Sequence, residues 1–412
     1  MAAKRSSTPG ARRPKSRPSA RRAGKRTAKS RNPPSARKPQ SDRLLAAAIL
    51  LAERGAAVEA LRQAKAILDA DPGHWRTMSF IANILWRMDQ PESALQALAA
   101  TIDHAPDEAG IQTDLAVKFI KAALDTKKDI DRAIAIGEKT LDRHGPTLPL
   151  LNALVNAQAR AGRYAEALKT TNMGVALFPD TREFYHDKSI LLMRMGRTEE
   201  ALEAFVRTIR PDLENTRDKF DVRANYTALA AGYDDNNLHQ SFSERMARLV
   251  LGLVGSTLAK RVLDAGCGTG LLGTHLKAAR LVGIDLSPEM LAKARARGIY
   301  AELVEGDMVA AMTGLDERFD IIASSCALYH IADLAPFFRE SARLLDSGGY
   351  LFFSVDPAPD SMDIGITAPG EYAHSRRYLR RLAAETGFAE AAIKTMEHRA
   401  TPGFWCAFRR GA

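Results

Sequence analysis

The 412 residues carry a formal charge of +10 and are 46% apolar, a composition that supports more than one domain with its own core. No unbroken apolar run of roughly 18 residues occurs, which excludes a membrane-spanning helix. The charge is unevenly distributed: residues 1–43 hold 15 Lys or Arg and a single acid, Asp42, while the remainder carries −4.

Residues 1–41 consist mainly of Arg, Lys, Ser, Ala and Pro, with no Leu, Ile, Val or aromatic residue. Such a segment buries too little surface to offset its ordering entropy, so a disordered basic tail is expected. It lacks the apolar centre of a secretory signal, and its six prolines argue against an amphipathic presequence. Its charge suits nucleic acid or another anionic surface, or simply solubility. The three cysteines, Cys267, Cys326 and Cys406, show neither CxxC nor Cys/His ligand spacing. No metal site is expected; they read as small, half-buried residues in a reducing, cytoplasmic setting.

Across residues 42–212 a repeat emerges. Small anchors fall at Ala60, Ala94, Ala133, Ala167 and Ala201, spaced 34, 39, 34 and 34 residues apart. Prolines follow at Pro72, Pro106, Pro146, Pro179 and Pro211, and Gly55, Gly162 and Gly196 precede their anchors by five residues, where a helix–helix turn needs a permissive backbone. Ala48, Ala82 and Ser189 recur twelve residues ahead of an anchor. This period resembles the tetratricopeptide repeat, with about five units. The departures are five extra residues in the third unit, a bulky Val155, and no Trp opening a repeat. The resemblance implies a solenoid that binds a protein or peptide.

Residues 213–242 read as a linker, with Tyr226 and Tyr233 available either to cover a neighbouring crevice or to pack an interdomain seam. A turn at Asp234–Asn237 precedes a helix predicted over Ser243–Val254 with Ser243 as its N-cap. From residue 243 to 412, strand and helix patterns alternate. RVLDAGCGTG (261–270) is a buried strand running into a glycine turn and a helix start. Further strands are predicted over Leu281–Ser287, Tyr300–Met308, Phe319–Ile331 and Tyr350–Pro357, then a hairpin of Ala391–Arg399 and Gly403–Arg410. The pattern implies a doubly wound, mostly parallel sheet of seven strands ending in an antiparallel hairpin, with ligands at the strand C-termini. The fold class is thus an all-α solenoid followed by a Rossmann-like α/β domain.

Two cofactor readings compete at the glycine turn. Gly268, Gly270 and Gly273 satisfy GxGxxG, and Asp285 lies 15 residues beyond Gly270, near the place of a dinucleotide enzyme's ribose acid. Against this, Asp264, Asp285 and Asp307 end three successive strands, and DAGCGTG, IDLS and EGDM together resemble the class I S-adenosylmethionine-dependent methyltransferases. The resemblance implies S-adenosylmethionine as cofactor, bound by Asp264, Ala265, Gly266, Gly268, Gly270, Asp285, Leu286, Met290, Asp307 and Met308. Asp264 would meet the amino-acid end, Asp285 both ribose hydroxyls, and Asp307 the adenine amino group. The layout of repeats ahead of this domain is similar to a group of bacterial repeat-containing methyltransferases, in which a segment like Gly370–Phe388 follows the fifth strand.

Methyl transfer from a sulfonium mainly requires alignment and exclusion of water, and a general base only where the acceptor must lose a proton. His330, beside Tyr329 after the fourth strand, and His374, on a loop before the last helix, are the candidate catalytic residues. The segment SSCALYHI (324–331) lacks a [DNS]PP[YF] loop, which disfavours amino methylation of DNA bases or of glutamine. An O or N acceptor remains, protein- or carrier-bound if the repeats recruit it. The alternative is a repeat adaptor whose sheet domain senses the cofactor without catalysis.

Overall fold

The computed structural model describes residues 34–211, 221–368 and 370–411. The tail up to residue 33, and with it most of the expected basic arm, lies outside them. Ten helices form five antiparallel pairs. These are α1 (Pro34–Glu53) with α2 (Ala57–Ala70), α3 (Trp75–Arg87) with α4 (Pro91–His104), and α5 (Ala109–Thr126) with α6 (Ile130–His144). The fourth pair is α7 (Leu148–Arg160) with α8 (Tyr164–Leu177), and the fifth is α9 (Arg182–Arg194) with α10 (Thr198–Phe205). All five anchor alanines are fully buried on the second helix of their pair, where a methyl group is the largest side chain the close helix approach admits. Gly55, Gly162 and Gly196 occupy the turns with positive φ. In the second pair Asp89 takes that conformation, and in the third Lys127 and Asp129 do. The third unit is long because α5 has 18 residues where α3, α7 and α9 have 13.

One boundary differs from expectation. The first helix starts at Pro34, inside the segment read as disordered. Proline suits a first helical position, and the helix is held further on where the buried Ser41 donates to Asp71 across 3.0 Å.

The second half opens with α11 (Val222–Leu229), a 3₁₀ turn over Ala230–Asp235, and α12 (Asn237–Val254). The N-cap of α12 is Asn236, whose side chain accepts from the Leu238 amide at 3.0 Å. Ser243 is therefore not the cap; it is buried inside the helix. Then come β1 (Arg261–Ala265), α13 (Leu271–His275), β2 (Arg280–Asp285), α14 (Pro288–Ala296), β3 (Glu302–Glu305), α15 (Met308–Thr313) and β4 (Phe319–Ser324). The chain continues through α16 (Ala335–Leu344), β5 (Leu345–Pro357), β6 (Ile364–Ala368), β7 (Glu371–His374), α17 (Arg376–Glu385), β8 (Phe388–His398) and β9 (Thr401–Arg410).

Strands β3, β2, β1, β4 and β5 run parallel in that order, and β9 and then β8 continue antiparallel beyond β5. These are the seven expected strands. The sheet gains a ribbon, β6–β7, because β5 outruns β9 and its last residues, Asp356 and Pro357, pair with Ala373 and His374. The predicted fourth strand is shorter than its apolar run: β4 stops at Ser324, and Leu328–His330 form a 3₁₀ turn at the sheet's C-terminal edge. Phe337, Phe338, Phe353 and Phe408 pack at the centre of one face, and Trp405, Phe352 and Met246 on the other.

The solenoid docks on the ribbon. Arg210 and Ile366 exchange backbone hydrogen bonds of 3.1 and 2.8 Å, and Phe205 and Ile209 pack against Met362 and Ala373. Gly365 allows this approach, since a Cβ there would lie 2.2 Å from the Ile209 side chain. Among the described residues no helix is long and apolar enough to cross a membrane.

Candidate active site

At the C-terminal edge of β1, β2 and β4 the glycine turn forms a cavity of about 160 Å³. Gly266, Gly268, Asp285, Leu286, Met290, Asp307, Met308 and His330 all line it. Gly266 (φ +78) is sterically required: a Cβ would meet Ala327 at 2.7 Å. Gly268 (φ +54) faces open space, so its backbone is accessible to a ligand. The Asp285 carboxylate accepts from the Gly268 amide at 2.8 Å and the Ser287 amide at 2.9 Å. Those bonds fix the carboxylate in one orientation and leave lone pairs for a ligand's hydroxyls. Burial raises its pKa, and the backbone donors oppose the rise. Asp307 is exposed at the cavity rim and caps α15, accepting from the Ala310 amide at 3.1 Å.

Four expected site residues fall elsewhere. Ala265 and Gly270 support the turn without lining the cavity. Gly270 is the αL residue that starts α13, and Tyr300 packs over it. Asp264 does not reach the cavity either; it lies beneath the turn, buried, accepting from the Tyr300 hydroxyl at 2.7 Å. Burial pushes its pKa up to about 7, with the Tyr300 bond opposing and the Asp285 charge adding. A carboxyl raised in this way contributes less to stability as pH rises through about 7. Asp264→Asn keeps an acceptor for Tyr300 and removes the charge. The ligand-free protein should therefore gain on the order of 1 kcal/mol at pH 8. A thermal melt at pH 8 that is lowered by the substitution contradicts this.

His374 is the fourth. It is not on a loop but at the end of β7, buried and paired through Pro357 to β5. Its Nε2–H donates to the Ala332 carbonyl at 2.9 Å, its ring stacks on Tyr378, and burial pushes its pKa down to about 4. It belongs to the core and does not line the cavity.

His330 does. Its Nδ1–H donates to the Gly370 carbonyl at 3.1 Å, which leaves Nε2 to accept from the Tyr226 hydroxyl at 3.1 Å. Tyr226 in turn accepts from Tyr329 at 2.9 Å. Burial lowers the His330 pKa and keeps the ring neutral. Tyr226 and Tyr233, with the segment that carries them, cover the cavity. The cover is latched by Asp234, which accepts from Thr269 at 2.5 Å and from Arg297 at 2.7 Å.

A second cavity adjoins the first and shares Tyr226, Tyr233, Cys326 and His330 with it. Ser325 is shared as well, and Phe242, His239, Tyr329, Glu371 and Arg399 are among its other walls. Behind it sits a group that sequence reasoning missed. His398 Nδ1 bonds Asp356 at 2.7 Å, and Arg399 spans Asp356 (2.6 Å) and Glu371 (2.7 Å) while lying 3.9 Å over the Tyr329 ring. Asp356 stands at the C-terminal end of β5, the one sequence signal that pointed here. Glu371 and Arg399 also border a cleft between the two domains, with Arg182, His186 and Asp187 of α9 opposite.

Residues 263–353 match the family described as a methyltransferase domain, and residues 51–116 match the tetratricopeptide repeat. The chain carries a class I methyltransferase domain behind tetratricopeptide repeats. It is 28% identical over 187 residues to a malonyl-[acyl-carrier protein] O-methyltransferase of Enterobacter lignolyticus, covering 43% of this chain and 73% of that protein. It is 38% identical over 105 residues to a ubiquinone biosynthesis O-methyltransferase of Xanthomonas oryzae, covering 23% and 42%. Among solved structures, a magnesium protoporphyrin IX methyltransferase of Synechocystis with bound S-adenosylhomocysteine is 18% identical, with 47% and 89% coverage and a TM-score of 0.36. Among the described residues no cluster of metal-ligating side chains occurs.

Proposed function

We propose that the first cavity holds S-adenosylmethionine and that a methyl group passes to an O or N acceptor in the second. Asp285 would accept from the ribose hydroxyls, Leu286 and Met290 would flank the adenine, and Asp307 with Met308 would meet its amino edge. The Gly266–Gly268 backbone would lie along the methionine portion, since only there can the main chain approach without a Cβ. The cofactor supplies an activated methyl group on a sulfonium. The protein's part is to align the acceptor with that carbon and exclude water, which the Tyr226 and Tyr233 cover does.

The carrying observation is the common wall of Tyr226, Cys326 and His330, because an acceptor in the second cavity meets the first only across it. The Arg399–Glu371 pair stands between the second cavity and the interdomain cleft bordered by α9. This position supports recruitment of a protein or carrier-bound acceptor by the repeats, its reactive arm entering past that pair. The basic tail adds an arm suited to an anionic partner, and the reading places the protein in the cytoplasm. Incubating a cell lysate with tritiated S-adenosylmethionine and the full chain should label a macromolecular fraction. Arg182→Glu with His186→Glu should cut that labelling several-fold and leave S-adenosylhomocysteine binding unchanged. Label found only in free small molecules, indifferent to both substitutions, overturns recruitment.

A further inference from the structure

The shared wall contains a residue that neither cofactor binding nor the Tyr226–His330 chain uses. Cys326 lies two residues past β4 with φ +54, its amide donating to the Ser354 hydroxyl at 3.0 Å, and it lines both cavities. Behind it stands the fully buried His398, whose charge acts on the Cys326 thiol. Nδ1 of that ring bonds Asp356 at 2.7 Å, while Nε2 makes no hydrogen bond among the described residues. A cysteine beside a hydrogen-bonded imidazole–carboxylate pair is in a setting that favours the thiolate.

Several neighbouring groups are committed, while His239, also in the second cavity, spends Nδ1 on the Tyr233 carbonyl at 2.8 Å. His330 Nε2 already accepts from Tyr226. Burial raises the phenols of Tyr226, Tyr233 and Tyr329 and keeps them protonated. Glu371 is held by Arg399. We propose that Cys326, bonded to Ser354 beside the His398–Asp356 pair at the junction of the two cavities, is the catalytic base that takes the acceptor's proton. This rests on the assignment of the first cavity to the cofactor and the second to the acceptor. As the acceptor's O–H or N–H proton passes to the Cys326 sulfur, its lone pair bonds the methyl carbon. The carbon–sulfur bond of the sulfonium breaks with its electron pair remaining on that sulfur, and the neutral thiol then returns the proton to water.

The charges around Cys326 favour the thiolate. Burial by itself raises the thiol's pKa, but His398, the Ser354 hydroxyl and Arg399 outweigh it and bring the pKa below its ordinary value. On His398, burial is likewise outweighed, by Cys326 and Asp356, and its pKa is pushed up to about 9. Acting on the thiol are His398 and Arg399 from the last hairpin and Ser354 from β5, with Asp356 behind His398, and with Glu371 of β7 and His239 of α12 in the same cavity. Tyr226, Tyr233 and Tyr329 close the set. The remaining cysteines, Cys267 and Cys406, are buried with thiol pKa values raised, so they stay protonated.

The test is alkylation of the full chain by iodoacetamide between pH 5.5 and 9.5, with each cysteine followed by mass spectrometry. Cys326 alone should react, with a midpoint about one pH unit or more below an ordinary thiol, equivalent to roughly tenfold more thiolate. S-adenosylhomocysteine should slow it at least about tenfold. His398→Gln should move the midpoint upward, and the wild-type profile decides the matter even if that variant fails to fold. With the lysate fraction labelled above, Cys326→Ala should lower methyl transfer by about 10²-fold or more, with S-adenosylhomocysteine still bound. An ordinary midpoint, no protection, or full activity in Cys326→Ala overturns the proposal. A methyl group appearing on Cys326 from S-adenosylmethionine alone also overturns it, since the sulfur would then be an acceptor. If S-adenosylhomocysteine fails to bind the wild type, the cofactor assignment falls, while the alkylation profile taken without it still reports on the thiolate.

Discussion

Asp285→Ala should weaken S-adenosylhomocysteine binding by roughly 30- to 700-fold, about 2–4 kcal/mol. The carboxylate is the single acid inside the cavity whose orientation is fixed from two sides, by the Gly268 and Ser287 amides. Alanine removes the acceptor of two ligand hydroxyls and also the tether that holds the Gly268 backbone against β2, so ligand contacts and preorganisation are lost together. Asp285→Asn retains the shape and one acceptor oxygen, and should fall between wild type and alanine. Calorimetric titration measures both, with a thermal melt to show that each variant is folded. A loss below threefold in a folded Asp285→Ala protein contradicts the assignment of the ribose to this carboxylate.

The second large effect concerns stability. Asp356→Ala should destabilise the fold by about 3–5 kcal/mol, because it leaves the fully buried His398 without its carboxylate and takes one of two acids from Arg399. The sign with pH follows from two opposite shifts. The Asp356 carboxyl, raised by burial but lowered further by Arg399 and His398, ends below its ordinary value. Its contribution is present above about pH 4 and disappears as the pH falls through the lowered folded value. His398 is pushed up to about 9, so its contribution is whole below pH 6.5 and is lost as the pH rises through about 9. The lowered Cys326 thiol contributes in the opposite sense over this interval, so the His398 loss is read in Cys326→Ala, whose urea unfolding should show stability declining between pH 6.5 and 9. Adding Asp356→Ala should flatten that decline, since the ring has then lost its carboxylate as well. A Cys326→Ala profile that is level across this interval contradicts the pairing.

Much of this architecture was legible because local patterns and tertiary demands coincide. The anchor alanines announce helix contacts too close for any longer side chain, and that demand repeats at each pair. The alternation of apolar strand and capped helix likewise leaves few topologies open. Asp285 was legible because it ends a strand in a sheet whose ligands gather there. Asp264 obeys the same rule but fails to reach the cavity, since only the phenol of Tyr300, 36 residues away, decides that the carboxylate turns under the glycine bend. The β6–β7 ribbon and the burial of His374 depend on pairing with the overhang of β5, a length no periodicity encodes. The Cys326, Asp356, His398 and Arg399 group gathers residues from three distant segments, each unremarkable alone. Their proximity comes from the register of β5 with β9 and of β8 with β9.

The rung between Arg210 and Ile366 makes the two halves of the chain mutually dependent. Without the repeats, β6 would present a bare edge beside the uncovered side chains of Met362 and Ala373, a surface that invites pairing with another molecule. The enzyme half is therefore no interchangeable module. A gene fusion that exchanged its solenoid for a foreign one would have to supply both the missing strand partner and the apolar plug of Phe205 and Ile209.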